Sequence, residues 1–381
     1  MVTRHPTYQA ARAVASAIET HFATHLAAAK REGEDDLASA PDAQTIETII
    51  DVTFWASLLR EEGNSPKISL AFLSPDQTSQ PLLFEHPLLL ARSVLTKLAP
   101  AVERPGVHLG VWPHGEELLV WGATRSVPSF CFVLEVIEPG LLVVKHRRLD
   151  GLGKFANVAV LKGDQVKVID EQGTSLPDCP DLLKSLLAFT SSVETGNSVN
   201  VLIQLAVSMR AHGHGGTLLV VPAGTASWRE SIVHPAFYSV NPSYAALTAL
   251  IHEDFTESEA SSWEAEVRRA VDTVAGLTAV DGATVISDNY ELLAFGAKIR
   301  PSEGSTSVER IVATEPIVSD KAIVVHPAQN GGTRHLSAAQ FVFDQRDTLA
   351  LVASQDGRFT IFAWSPCEDM VHAHRVDALL M

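Results

Sequence analysis

The sequence predicts two domains of different class, a smaller β-rich α+β domain over residues 1–190 and an α/β domain over residues 199–381. Three observations predict this division. A chain of 381 residues exceeds the usual size of one compact domain. Its first half carries short β-type runs between turn signals, whereas its second half alternates helical periods with apolar strands, as a sheet covered by helices requires. Between residues 173 and 200, Pro177, Pro180, Gly196 and Asn197 interrupt the periodicity around one short helix, where a domain boundary is expected.

The alanine-rich residues 7–30 read as a helix, and the charged run from Lys30 to Asp36 as a solvated loop. Asp42 is placed to cap a second helix, in which Ile46, Ile49, Ile50, Phe54 and Leu58 recur at helical spacing. That apolar face is expected to pack on the first domain's sheet. The β runs cover residues 68–72, 108–112, 118–121, 130–136, 141–144, 158–161 and 166–169. Leu-Leu-rich stretches read as core, and the apolar residues 81–90 are too short to span a bilayer and are broken by Glu85 and His86.

In the second half a helix over residues 199–210 leads through His212-Gly213-His214-Gly215-Gly216 into a strand at 217–221. A helix at 263–277 precedes a strand at 283–287. A further helix, through Ala338 and Phe341, leads to strands at 349–353 and 359–364 around the turn Gln355-Asp356-Gly357.

Composition narrows the function classes. With 46% hydrophobic and 19% charged residues the chain has no global signature of disorder. A formal net charge of -16 opposes bulk binding to nucleic acid. Cys131, Cys179 and Cys367 lack any pairing rhythm and read as small buried hydrophobes of a reducing compartment. No secretory signal or membrane span is evident, so a cytoplasmic protein without membrane partners is expected. His212-x-His214 and His372-x-His374 lack further ligands at metal spacing and read as surface or loop histidines. Trp228, Tyr238, Tyr244, Phe341 and Phe343 could stack a base but read first as core. Neither a Gly-x-Ser-x-Gly elbow nor a Walker-type Gly-Lys-Ser/Thr is present.

Two short segments carry chemistry. In Asp281-Gly282-Ala283 a carboxylate at a strand mouth could hold a divalent metal or accept a proton, beside small residues that admit a ligand. In Gly331-Gly332-Thr333-Arg334-His335 glycines open a helix whose free amides and arginine suit an anion. Alone, the first is also what an ordinary turn gives, and the second a helix entry with a solvated arginine.

Together and in this order they resemble the diadenylate cyclase domain family. In that family an Asp-Gly-Ala motif follows a helix, and a Gly-Thr-Arg-His-Arg motif later leads into paired alanines, an acidic residue, a strand and a hairpin. Here Val280 to Ser287 corresponds to the first motif, and Gly332-Thr333-Arg334-His335 with Ala338-Ala339 and Asp344 to the second. The likeness covers roughly residues 199–381 and implies a mixed sheet with flanking helices. By layout, the first half resembles the probable sensor domain, named DACNV, that accompanies one branch of these cyclases. The helical DNA-binding extension of some relatives is not expected here.

The resemblance implies that two ATP molecules condense to cyclic di-AMP and pyrophosphate between two such domains meeting face to face, with Mg²⁺ or Mn²⁺. It implies roles for Asp281, Arg334 and His335 in catalysis and for Gly282, Ala283, Gly332, Thr333, Arg334 and His335 in holding the nucleotide, with Asp281 and Asp344 as metal ligands. The first half would answer to an unknown sensor ligand. The chain departs from the family pattern at Leu336, where the family has a second arginine, at the added Ser337, and at Asp344, where the family has glutamate. These departures leave a second possibility, a nucleotide-sensing module that makes little or no product.

Overall fold

The computed structural model describes residues 7–149, 155–170, 201–233, 238–251, 260–318 and 320–381. They fall into two compact units, one within residues 7–169 and the other within 170–380. The expected boundary segment and its short helix lie outside the described residues, as does Cys179.

In the first unit, helix α1 spans Gln9–Glu32 and stops at Gly33, whose φ of 88° lets its amide reach back to the carbonyls of Ala29 and Lys30. The predicted charged loop is therefore partly helix. Helix α2, Ala43–Ser57, starts where Asp42 accepts a hydrogen bond from the Thr45 amide at 2.7 Å. Ile18 and Phe22 of α1 and Ile46, Ile49 and Ile50 of α2 are buried in one core with Leu70, Phe72, Leu109, Val111, Phe132 and Leu134 from the sheet. Leu58, expected on the same face, lies past the helix end and is exposed.

The sheet has eight described strands, β1 Ser69–Phe72, β2 Leu82–Leu89, β3 His108–His114, β4 Glu117–Thr124, β5 Phe132–Glu138, β6 Leu141–Arg147, β7 Phe155–Lys162 and β8 Gln165–Val168. Their order is β2-β4-β3-β1-β5-β6-β7-β8, and it is mixed because β1 runs parallel to β3. Each of the seven predicted β runs forms a strand. The eighth, β2, falls in a Leu-Leu-rich stretch expected in the core and is instead an edge strand with Leu82, Leu83, Leu88 and Leu89 exposed. Helix α3, Arg92–Leu98, follows it.

The second unit is built on a nine-stranded sheet among the described residues, again mixed. Its strands are β9 Gly216–Val221, β10 Tyr238–Tyr244, β11 Ala283–Ser287, β12 Leu292–Ala297, β13 Ile311–Thr314, β14 Ile323–Val325, β15 Leu349–Ala353, β16 Phe359–Ser365 and β17 Met370–Arg375. The order is β10-β12-β11-β9-β15-β16-β17-β13-β14, with β9 parallel to β11 and β13 parallel to β17. Alternation along β9 serves both faces. Leu218 and Val220 pack with α4, Val201–Ala211, and α6, Ala260–Leu277. Leu219 and Val221 pack with Ala338, Phe341 and Val342 of α8, Thr333–Asp344. Two short helices, α5 Ala246–Ile251 and α7 Pro327–Asn330, complete the unit.

Among the described residues no helix is long and apolar enough to cross a membrane. Three side-chain expectations are corrected. His372 and His374 are buried on β17, where His374 lies 2.8 Å from the Thr314 hydroxyl, so they are neither surface nor loop residues. Cys131 is buried as expected, but Cys367 is exposed. Trp228 and Phe341 belong to the core, whereas Tyr238 and Tyr244 stand on the exposed edge strand β10.

Candidate functional site

Strand register brings the two sequence motifs to one end of the second sheet. Ala283 pairs with Thr217 in the parallel β9 and with Ala297 in the antiparallel β12, while Gly216 pairs with Ala353 of β15. The start of β9, the start of β11, the end of β12 and the end of β15 therefore share an edge. Asp281 and Gly282 sit just before β11, and Lys298 just after β12.

Asp281 is open to solvent, its side chain 87% exposed, and Oδ2 accepts a hydrogen bond from Lys298 Nζ at 2.9 Å. That ammonium, aided by the nearby Arg334 guanidinium, holds the carboxyl below its usual range. Arg334 is exposed on the first turn of α8, and its guanidinium passes over Gly215: a Cβ built there would lie 3.0 Å from an Arg334 nitrogen and 3.2 Å from the Ala353 carbonyl. Gly332 caps the helix in an extended conformation with open space around it. The amides of Thr333 and Arg334, in the first turn, have no intrahelical carbonyl to bond. Around Asp281 this edge thus presents one open carboxylate, two cations and a helix start, with the Asp356–Arg358 pair on the hairpin after β15, a combination suited to a phosphorylated ligand.

Other expected site residues are placed differently. His335 is 3% exposed; its ring packs edge-on to Phe362 and lies against Gly331, with Nε2 3.3 Å from the Thr360 hydroxyl. Burial lowers its pKa, so it anchors the helix as a neutral ring instead of facing the open edge. Ala283 is buried with Leu219 and Val285, so its side chain fills core. Gly282 is needed for packing: its φ is +110°, and a Cβ there would stand 2.5 Å from the Gly296 carbonyl carbon.

Asp344 does not join Asp281. Ten residues after Arg334, it lies about 15 Å further along the helix. There it accepts hydrogen bonds from the Ser302 amide at 2.9 Å, from Gln340 Nε2 at 3.0 Å and from the Ser305 hydroxyl, fastening the loop before β13. Among the described residues no three His, Cys, Asp or Glu side chains converge as a metal site. One open carboxylate still fits an ion of the magnesium type, which takes one or two protein carboxylates and completes its shell with water and substrate phosphates.

Residue-type reasoning missed Lys298, Gly215, Gly296 and the position of Tyr238. The Tyr238 ring stacks on Phe295 at 4.7 Å and crowds Gly296, which backs onto Gly282. A glycine inside an apolar run, such as Gly296, is the one local signal of such a close approach.

The family described as probable sensor domain DACNV matches residues 35–125, from the loop before α2 to just past β4. The first unit's sheet continues beyond that match through β8. No curated protein matches the sequence. Among solved structures, similarity is found to a crystal structure described as a hypothetical membrane spanning protein from Bacillus cereus. The two are 16% identical with a TM-score of 0.26, over 46% of this chain and 63% of that one.

Proposed function

We propose that the second unit is a diadenylate-cyclase-type nucleotide domain that condenses two ATP into cyclic di-AMP and two pyrophosphates, regulated through the sensor-like first unit. The observation that carries this reading is the convergence of Asp281, Gly282, Gly332 and Arg334 on one sheet edge, although the two motifs lie far apart in sequence. The DACNV match in the first unit supports the regulatory half.

In this reading Arg334 grips phosphate oxygens in a fork, and the amides of Thr333 and Arg334 receive the same anion at the positive end of α8. Gly332 leaves the phosphates room to approach. Asp281 faces the attacking 3'-hydroxyl and offers the carboxylate for Mg²⁺ or Mn²⁺. Such an ion, when bound, neutralises triphosphate charge. Because one domain holds one ATP, two copies must meet face to face so that each hydroxyl reaches the other's α-phosphate. Positioning and charge neutralisation then supply most of the rate.

Leu336 favours a second reading, a sensor that binds nucleotide without turning it over. It is 39% exposed on the first turn of α8 and brings no charge. Incubating the purified chain with ATP and either metal, then resolving products by mass, separates the two. The expected product is cyclic di-AMP, lost in Asp281→Asn without a change in melting, because an exposed ion pair contributes little stability. A confirmed dimer that binds ATP and yields no cyclic dinucleotide with either metal establishes the sensor reading instead.

A further inference from the structure

We propose that Lys298 is the second phosphate-binding cation of this site, supplied from the sheet edge where the first turn of α8 offers Leu336. The inference rests on the reading of the second unit as a nucleoside triphosphate site.

Its main chain is pinned on both sides. The Val233 amide donates to the Lys298 carbonyl at 2.8 Å, Ile299 bridges to Ile232, and the Arg300 amide donates to the Ser231 carbonyl at 2.9 Å. The side chain is left half-exposed, with Nζ on Asp281. The fold gains little from this contact, since both partners are solvated and such pairs contribute at most a fraction of a kcal/mol to about 1 kcal/mol. A lysine fixed at its root and loose at its tip is therefore not explained by packing.

Charge and position explain it. Lys298 and Arg334 approach the same carboxylate from different elements, so the edge holds two cations around one acid. In a chain of net charge -16, a local positive pair is what draws a polyanion to this edge. Without ligand, Asp281 serves as the resting partner of the ammonium. When phosphates arrive they compete for Nζ, and the freed carboxylate turns to the cation that accompanies the triphosphate. Binding of anion and release of Asp281 thus become one exchange, which a fixed arginine on the helix would not provide.

Isothermal calorimetry on the full chain tests this, with ATP in magnesium as the probe, on wild type, Lys298→Met, Lys298→Arg and Arg334→Ala. Lys298→Met is expected to lose about tenfold or more in ATP affinity, the worth of one charge-assisted hydrogen bond. Its unliganded melting temperature stays unchanged, its affinity depends less steeply on salt, and Lys298→Arg recovers most of the loss. ATP binding by Lys298→Met as tight as wild type, or tighter, overturns the proposal and leaves Lys298 as a mere counter-ion of Asp281. A Lys298→Met chain that fails to fold while Lys298→Arg folds and binds normally overturns the claim that the fold does not need the contact. If wild type fails to bind ATP, or Arg334→Ala binds as well as wild type, the nucleotide reading itself falls. Loss in Arg334→Ala with none in Lys298→Met removes only Lys298.

Discussion

Replacing Gly282 by alanine separates packing from ligand approach at the Asp-Gly-Ala turn. The backbone there has φ of +110°, a conformation that costs an L-residue about 1–3 kcal/mol. The new methyl would stand 2.5 Å from the Gly296 carbonyl carbon, 2.8 Å from its oxygen and 2.9 Å from the Ala297 nitrogen. All three are main-chain atoms, so relief requires β12 to slide against β11 beside the Ala283–Ala297 pair, an overpacking strain of about 1–3 kcal/mol. The total is about 4 kcal/mol, which in a domain of this size lowers the melting temperature by about 8–16 °C. Gly332→Ala is the control, because a methyl there meets nothing within 4 Å in the unliganded chain. Thermal unfolding followed by circular dichroism should show Gly282→Ala strongly destabilised and Gly332→Ala lowered only by the few degrees that a poorer helix N-cap costs. ATP affinity should fall in Gly332→Ala, whose methyl would occupy the space that phosphates need. A Gly282→Ala protein that melts within about a degree of wild type refutes the packing argument.

Two further outcomes follow from the geometry. Asp344→Ala should strand the Ser302 amide, the Ser305 hydroxyl and Gln340, costing about 1–3 kcal/mol in denaturant unfolding while leaving ATP affinity unchanged; a normal melt with altered metal dependence would restore Asp344 as a ligand. Stability should also fall with acid: burial lowers the pKa of His335 and, with His372 nearby, that of His374 to about 3, whereas an unfolded histidine titrates near 6.5. The unfolded chain then binds protons that the folded chain refuses. For His374 the stabilisation is complete above pH 6.5 and drains away as pH falls towards 3, by up to about 1.4 kcal/mol per pH unit, and His335 adds to the loss in the same direction. Urea titrations at pH 7, 6 and 5 that give equal stabilities would contradict this.

The sequence was legible where one period dominates. The capped helix α2 and the strands β9, β11, β15 and β16 are apolar runs bounded by clear turns, and each was found. The edge strands β2 and β10 are not legible in this way, although the edge strand β8 is. β2 exposes its leucines and β10 carries Ser239, Asn241 and Pro242, so neither shows the half-buried alternation that marks a strand. β17 was hidden by His372 and His374, whose burial depends on the sheet around them.

At the candidate site, the exposure of Asp281 and Arg334 at one edge agrees with their residue types. The burial of His335 was not legible, because one step along a helix turns a side chain by about 100°, and which face meets the sheet is settled only by packing. Lys298 was illegible because its link to Asp281 runs through the antiparallel pairing of β11 with β12, a relation that no local spacing encodes.

The place of β9 in the strand order has a consequence for synthesis. β9 lies between β11 and β15, yet it is the first of the three to be made, and β15 begins about 130 residues later. At translation rates of roughly 5–20 residues per second, β9 waits roughly 6–26 s for its second neighbour. Through that interval a strand that is apolar on both faces keeps one hydrogen-bonding edge open, the kind of edge on which nascent chains associate. In the first unit the corresponding wait is shorter: β1, which lies between β3 and β5, has its second neighbour about 60 residues later. On the ribosome, the longest such exposure among the described strands is thus in the making of the second unit, and it ends only when β15, beyond helix α8, has been added.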